Sequence, residues 1–182
     1  MAGAGAGARP GSVRSRMGKA AALARLLNRD CTRLLELYRE REGFSPDLSL
    51  EKGRIVALVL LFERVIGWEI EQGFGGEGEY ERVRSTVKDR LGHLLQSTKN
   101  LLAETEGITP LTPDPNNPEE TDGLEKGGIF EAKLWTFRVL QELIHWTQSA
   151  AQTLHSVQSE REKERGRTTV RKGKRDKGEV QS

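Results

Sequence analysis

One stretch of the sequence decides the fold, namely Gly127-Gly-Ile-Phe-Glu-Ala-Lys-Leu-Trp-Thr-Phe-Arg-Val-Leu-Gln-Glu-Leu-Ile-His-Trp-Thr147. Its large apolar residues recur at intervals of three and four, which is the spacing of a single stripe along an α-helix. The stripe comprises Phe130, Leu134, Phe137, Leu140, Leu143/Ile144 and Thr147, and it continues to Ala151 and Leu154. The helix therefore spans about 30 residues, or about 45 Å. In a chain of 182 residues, such a helix needs partners of similar length packed along it.

Three further segments have helical spacing. We predict helix A over residues 16–42, helix B over 50–71, helix C over 79–105 and helix D, which contains the quoted stretch, over 124–158. In helix B the residues expected to face inward are Ile55, Leu58/Val59, Phe62, Val65/Ile66 and Ile70. No segment has the alternating pattern of a strand. The sequence therefore predicts an all-α protein, a four-helix bundle formed by residues 16–158.

The connections restrict the order of the helices. The link between B and C is only about seven residues long, so B and C should be antiparallel neighbours. The link between C and D contains four of the six prolines and is about 20 residues long, enough to return along the whole bundle and leave D parallel to C. Residues 43–53 could either run along a short helix B or form a simple hairpin. The pattern alone leaves that choice open.

Both ends of the chain differ from its middle in charge. Residues 1–15 are rich in Gly and Ala, and we expect a disordered arm there; residues 159–182 are predicted to form a charged, disordered tail. Because the middle of the chain is mildly acidic, the profile is not that of a specific nucleic-acid-binding domain. The basic tail could bind polyanions such as heparan sulfate or RNA weakly. The longest apolar run, residues 55–62, is too short to span a membrane.

The sequence offers little that could support catalysis. The G-x-G-x-x-G pattern of residues 73–78 joins two helices instead of following a strand, so it is interpreted as a turn. Glu142 and His145 form a single E-x-x-H pair, whereas di-iron bundles need two. Cys31 is the only cysteine and lies on the apolar side of helix A, as a small buried residue would. We therefore predict that the protein is not an enzyme and has no metal or cofactor.

The start of helix D contains the strongest candidates for binding. Phe130 and Lys133 lie one turn apart beside Gly127 and Gly128, where a Phe has little core to reach. Trp135 and Trp146 are also candidates, either as packing residues at the rim of the core or as exposed interface anchors.

Helix D, with Gly127-Gly-Ile-Phe-Glu-Ala-Lys-Leu-Trp, Arg138-Val-Leu-Gln-Glu-Leu and Trp146-Thr147, closely resembles the last helix of the ciliary neurotrophic factor family. Helix A resembles that family's first helix through Leu23-Ala-Arg25, Asp30 and Tyr38. The resemblance implies a long-chain helical cytokine of the interleukin-6 group with up-up-down-down topology. It also implies a protein that is cytoplasmic until released to the extracellular space without a signal peptide. The N-terminal sequence, which lacks an apolar signal segment, and the single thiol agree with this expectation.

The resemblance also implies a function. A cytokine or neurotrophic growth factor of this group assembles cell-surface receptors, here glycoprotein 130 and the leukaemia inhibitory factor receptor, and triggers JAK-STAT signalling. The family's Phe-x-x-Lys motif, which docks the leukaemia inhibitory factor receptor, maps onto Phe130 and Lys133. Arg25 and Asp30 match part of the family's surface for a ciliary neurotrophic factor alpha receptor, whereas Asn28 replaces a basic residue. The alternative hypothesis is an intracellular helical adaptor that binds a partner helix.

Overall fold

The computed structural model describes residues 10–49, 58–103 and 127–173. These residues form four helices and no strand: α1 (Pro10–Glu42), α2 (Leu58–Glu71), α3 (Glu79–Ala103) and α4 (Ile129–Gly173). The predicted all-α, four-helix architecture is therefore confirmed. Among the described residues, no helix combines the length and the apolar character that crossing a membrane requires.

Contacts between the helices give their directions. Near its start α1 bonds the far part of α4, with Arg14 Nη2 at 2.9 Å from Glu162 Oε1, and near its end it bonds the first turns of α4, with Tyr38 donating to the Lys133 carbonyl at 3.0 Å. These two helices are therefore antiparallel. α1 is likewise antiparallel to α3, because Asp30 pairs with Arg90 while Tyr38 stacks near Tyr80.

The direction of α2 completes the topology. Glu69, near its end, bonds Arg84 in the first turns of α3, while Phe62, one turn after its start, lines a groove with Leu91. Thus α2 is antiparallel to α3 and parallel to α1. The bundle is up-up-down-down, so α1 and α2 are parallel and are not the two arms of a hairpin.

The core follows most positions of the predicted stripes, and Ile70 and Phe130 are clear exceptions. Tyr38, Phe62 and Phe137 are fully buried along the axis. Ile70 was expected to face inward but is 54% exposed, and its neighbour Glu69 is fully buried instead. Polar partners inside the bundle hold the Glu69 carboxylate, and this rotates Ile70, the next residue along the helix, toward solvent.

Three helix boundaries differ from the predictions. The smallest difference is at the start of α4, which begins at Ile129, so that Gly127 and Gly128 lie outside the helix predicted from 124. α1 begins at Pro10 instead of 16, so the prediction of a disordered arm is wrong over 10–15. Proline suits the first turn of a helix, and Arg14 pairs with Glu162 of α4. α4 continues to Gly173 instead of ending at 158, so the prediction of a disordered tail is wrong over 159–173. Glu, Arg and Lys are strong helix formers, and Glu162 pairs with Arg14 across the bundle. α3 starts at Glu79 as predicted and is described to Ala103.

Several predictions fall outside the described residues. These are the arm over 1–9, the first part of helix B over 50–57, the end of helix C at 104–105, the proline-rich link over 106–121, the start of helix D at 124–126 and the last residues of the tail, 174–182.

Helices α1 and α2 end in the same way. Gly43 and Gly73 have positive φ angles of 69° and 87°, and each is followed by a phenylalanine. The amide of Phe44 donates to the Arg39 carbonyl at 3.0 Å, and the amide of Phe74 donates to the Glu69 carbonyl at 2.9 Å. This is the Schellman pattern, which satisfies carbonyls of the last turn and directs the next apolar residue back onto the helix. Because α1 and α2 are parallel, both Gly-Phe pairs lie at the same end of the bundle.

Candidate functional site

The first turn of α4 exposes two large apolar side chains at this same end of the bundle. Ile129 is 66% exposed and Phe130 is 62% exposed, more than any other large apolar residue in the described ranges. The Gly128 carbonyl accepts a hydrogen bond from the Ala132 amide at 3.1 Å, so the helix is hydrogen-bonded from its first residues. An aromatic ring held on a formed helix and left in solvent is typical of an interaction site.

Lys133 lies one turn after Phe130 but faces a different neighbour. Its ammonium pairs with the carboxylate of Glu42, the last residue of α1, and its carbonyl accepts a hydrogen bond from Tyr38. The Lys133 side chain is 30% exposed, whereas that of Glu42 is 4% exposed. The structure therefore places the two predicted residues in one turn, with the ring in solvent and the ammonium bound to α1.

Arg41 links Glu42 to a second carboxylate, that of Glu69. Its Nε donates to Glu42 Oε1 at 2.9 Å and its Nη2 donates to Glu69 Oε1 at 2.8 Å. The guanidinium carbon lies 4.2 Å from the ring centre of Tyr80 and 4.6 Å from that of Phe74, which are cation–π distances. Burial alone would lower the pKa of Arg41, but the hydrogen bond to Glu69 and the surrounding negative charge raise it overall. Arg41 therefore stays charged.

Glu69 is the centre of the network. Its carboxylate is fully buried and accepts hydrogen bonds from Arg84 Nη1 at 2.7 Å and from the Tyr80 hydroxyl at 2.8 Å, in addition to Arg41. Burial, followed by the charge of Glu69, raises the pKa of Tyr80 well above its ordinary value, so the hydroxyl stays protonated and donates. We call Arg41, Glu42, Glu69, Tyr80, Arg84 and Lys133 the end cluster.

The end cluster joins all four helices at the end of the bundle where the Phe130 ring is exposed. Its members come from α1, α2, α3 and α4, and buried charges that are paired and hydrogen-bonded hold a defined geometry. Sequence reasoning did not find this cluster. One local signal was present, since two Gly-Phe pairs follow two predicted helices and place aromatic rings at one end of the bundle.

Arg25 and Asp30 do not form one surface. Five residues apart on a helix, they are rotated by about 140°. Arg25 is exposed beside α4, whereas Asp30 faces α3, where it pairs with Arg90. Arg25 also lies about 25 Å along α1 from the level of Glu42 and Lys133. The two residues therefore stand apart from each other and from Phe130.

The other residues singled out in the sequence occupy positions typical of packing or surface residues. Trp135 and Trp146 are partly buried and pack against the core, as rim residues do. Cys31 is 1% exposed, and burial, with the nearby charge of Asp30, raises the pKa of its thiol to about 12. Glu142 is buried while His145 is exposed. No group of three or more His, Cys, Asp or Glu side chains suited to a metal occurs in the described part of the chain.

Comparison with known proteins shows what the chain is similar to. The family model described as ciliary neurotrophic factor matches residues 87–172, which include Phe130 and Lys133. The chain resembles the ciliary neurotrophic factors. It is 25% identical to ciliary neurotrophic factor of Mus musculus over 166 residues, covering 75% of this chain and 80% of that protein. It is also 22% identical to that of Sus scrofa over 162 residues, with the same coverage of both chains.

The similarity to ciliary neurotrophic factors confirms the resemblance predicted from helices A and D. Together with the up-up-down-down bundle, it supports a neurotrophic factor of the helical cytokine type. The matched range begins within α3 and covers nearly all of α4, so it contains the exposed ring and its lysine. Arg25 and Asp30 lie outside that range.

Proposed function

We propose that this chain is a signalling cytokine of the ciliary neurotrophic factor family, and that Phe130 and Lys133 contact a receptor of the leukaemia inhibitory factor receptor type. Glycoprotein 130 would be the second receptor chain, and JAK-STAT signalling the result. The observation that carries the proposal is the 62% exposure of the Phe130 ring at the start of α4. A globular protein gains by burying such a ring, so its position in solvent favours burial in a partner.

The geometry of the first turn of α4 suits such a contact. The ring can enter an apolar pocket with little ordering cost, because the end cluster already fixes the helix that bears it. Lys133 is bound to Glu42, but an ammonium has three donor hydrogens. It can therefore keep Glu42 and still donate to a receptor carbonyl or carboxylate. Ile129 widens the apolar surface beside the ring.

Truncating an aromatic anchor at a protein interface costs about 2–4 kcal/mol, which corresponds to about 30-fold or more in affinity. Phe130→Ala is the cleanest variant, since the ring is mostly in solvent and its loss should leave stability nearly unchanged. Lys133→Ala is less clean. It would leave the Glu42 carboxylate without one of the two cations that pair with it, and we expect a lower melting temperature.

The test adds purified protein to cells that carry these receptors and measures STAT phosphorylation. Phe130→Ala should shift the dose–response curve by about 30-fold or more. Leu60→Ala is the matched control, because Leu60 is also a large apolar residue, 49% exposed, but lies on α2. Equal activity of all three proteins would refute the site. An intracellular adaptor predicts no response to any added protein.

The assignment of Arg25 and Asp30 to an alpha receptor stays a separate prediction. Any such receptor would have to contact the α1–α4 side through Arg25 and the α1–α3 side through Asp30.

A further inference from the structure

The fold brings the basic segments of the chain to one end of the bundle, opposite Phe130. Because α1 and α4 are antiparallel, the first half of α1 lies along the last half of α4, as the Arg14–Glu162 bond illustrates. Residues 14–29 of α1 contain five basic residues and no acidic one. Residues 161–167 of α4 add four basic residues and two acidic ones. This end of the bundle is therefore strongly cationic, although the whole chain carries a net charge of only +2.

A groove of about 520 Å³ lies between α1 and α4 in this cationic region. Its lining residues are Arg25, Asn28, Arg29, Gln148, Ala151, Gln152, His155 and Ser156. They present guanidinium, amide, imidazole and hydroxyl groups, and no carboxylate. Arg25, Arg29 and His155 are exposed. On α4, Ser159 and Lys163 follow His155 at intervals of four and continue the same stripe toward the end of the helix.

The chemistry of the groove favours a hydrophilic polyanion over a protein surface. Protein interfaces are anchored by large apolar or aromatic side chains, and the only apolar residue in this lining is Ala151. No Phe, Tyr or Trp lines the groove, so it lacks the rings on which bases of single-stranded nucleic acid stack. Guanidinium groups bind tetrahedral anions with paired hydrogen bonds, while amides and hydroxyls suit sugar hydroxyl groups.

The length of the cationic region favours an extended ligand. Arg14 and Arg29 are about 22 Å apart along α1, and Lys163 continues the positive charge along α4. We propose that a sulfated glycosaminoglycan chain binds along the α1–α4 groove, with Arg25 and Arg29 as its principal contacts. The surface is about 25 Å from the level of Phe130, so glycan and receptor could be bound together.

The test uses the full chain on a heparin column, with Arg25→Gln/Arg29→Gln as the groove variant. The control is Arg82→Gln/Lys88→Gln, which removes two positive charges from exposed positions on α3. The groove variant should elute at distinctly lower salt than the control. In titrations with heparin, its slope of log K against log salt should be smaller by about one for each arginine removed, since each contact releases counterions. Desulfated heparin should not retain the wild type.

Three results would overturn the proposal. Equal elution shifts for both variants would mean that retention on heparin depends only on the net charge of the protein. Tighter retention on an oligothymidine column than on heparin would indicate a nucleic-acid surface. Unchanged heparin retention by the groove variant, with lost affinity for a soluble alpha-receptor ectodomain, would make the groove a receptor surface. Circular dichroism of both variants confirms that the helices are intact.

Discussion

Glu69→Gln is expected to lower the free energy of unfolding by about 3 kcal/mol. The Glu69 carboxylate is fully buried and accepts hydrogen bonds from Arg84 at 2.7 Å and from Arg41 and Tyr80 at 2.8 Å. The change would leave one buried guanidinium group, that of Arg84, and one partly buried group, that of Arg41, around a neutral amide. Removing one partner of a buried ion pair costs about 3–5 kcal/mol. The lower figure applies here, because the amide oxygen still accepts a hydrogen bond and Arg41 keeps Glu42.

Urea denaturation followed by circular dichroism measures this loss. The matched control is Glu71→Gln, which removes the same charge from an exposed position two residues further along the chain. The control should stay within about 0.5 kcal/mol of the wild type. For a chain of this size, the loss of about 3 kcal/mol in Glu69→Gln corresponds to a melting temperature lower by about 6–12 °C.

A double-mutant cycle makes the test specific. Glu69→Gln, Arg84→Gln and the double variant should give a coupling energy of about 1–3 kcal/mol, because the two side chains are in direct contact. The reasoning fails if Glu69→Gln is as stable as Glu71→Gln, or if the coupling is close to zero. Either result would mean that the end cluster does not form as described.

Two further predictions concern the helix end at Gly43 and the core thiol. Gly43→Ala should destabilise the protein by about 1 kcal/mol, because φ is 69° at Gly43. Gly67→Ala should stabilise it by about 0.5–1 kcal/mol, because Gly67 lies in an exposed helix interior with open space around it. Denaturation curves that rank the two variants in the opposite order would contradict the described end of α1. The Cys31 thiol has its pKa raised from 9.0 to about 12, so its contribution to stability is complete below pH 9 and is lost as the pH rises toward 12. Between pH 9 and 10 the wild type should lose about 1 kcal/mol more than Cys31→Ala, and equal losses would show that the thiol is not buried.

The helices and their order followed from the sequence for a simple physical reason. The quoted stretch of α4 places apolar residues on one stripe over many turns, so no competing structure buries them as well. The short B–C link and the long C–D link then limited the directions, and the observed up-up-down-down order agrees with them. The open choice after α1 was settled by contacts of Glu69 and Phe62, which link α2 to α3.

The end cluster could not be predicted in the same way. Periodicity assigned Ile70 to the core, and nothing in the pattern indicated burial of Glu69, since burying an unpaired carboxylate is unfavourable. The Glu69 carboxylate can be buried only because Arg41, Arg84 and Tyr80, on two other helices, form hydrogen bonds with it. Which residues of those helices lie beside Glu69 depends on how the helices pack in three dimensions. The extension of α4 was missed for a related reason. Glu162, in the extension, pairs with Arg14, which is remote in sequence.

Phe130 is a binding candidate from both the sequence and the structure, whereas the orientation of Lys133 is visible only in the structure. A Phe at the first turn of a helix has little core to reach, and its ring is indeed mostly exposed. The sequence gives no sign that Glu42 binds the lysine, because the two residues are 91 positions apart.

The most direct measurement of the central claim is a binding titration with the soluble ectodomain of the leukaemia inhibitory factor receptor. Wild type, Phe130→Ala and Leu60→Ala would be compared, with thermal unfolding recorded for each protein. We expect the Kd to rise by about 30-fold or more for Phe130→Ala, and to stay unchanged for Leu60→Ala, with all three proteins equally stable. The same Kd for all three proteins would contradict the assignment of the exposed ring to receptor binding.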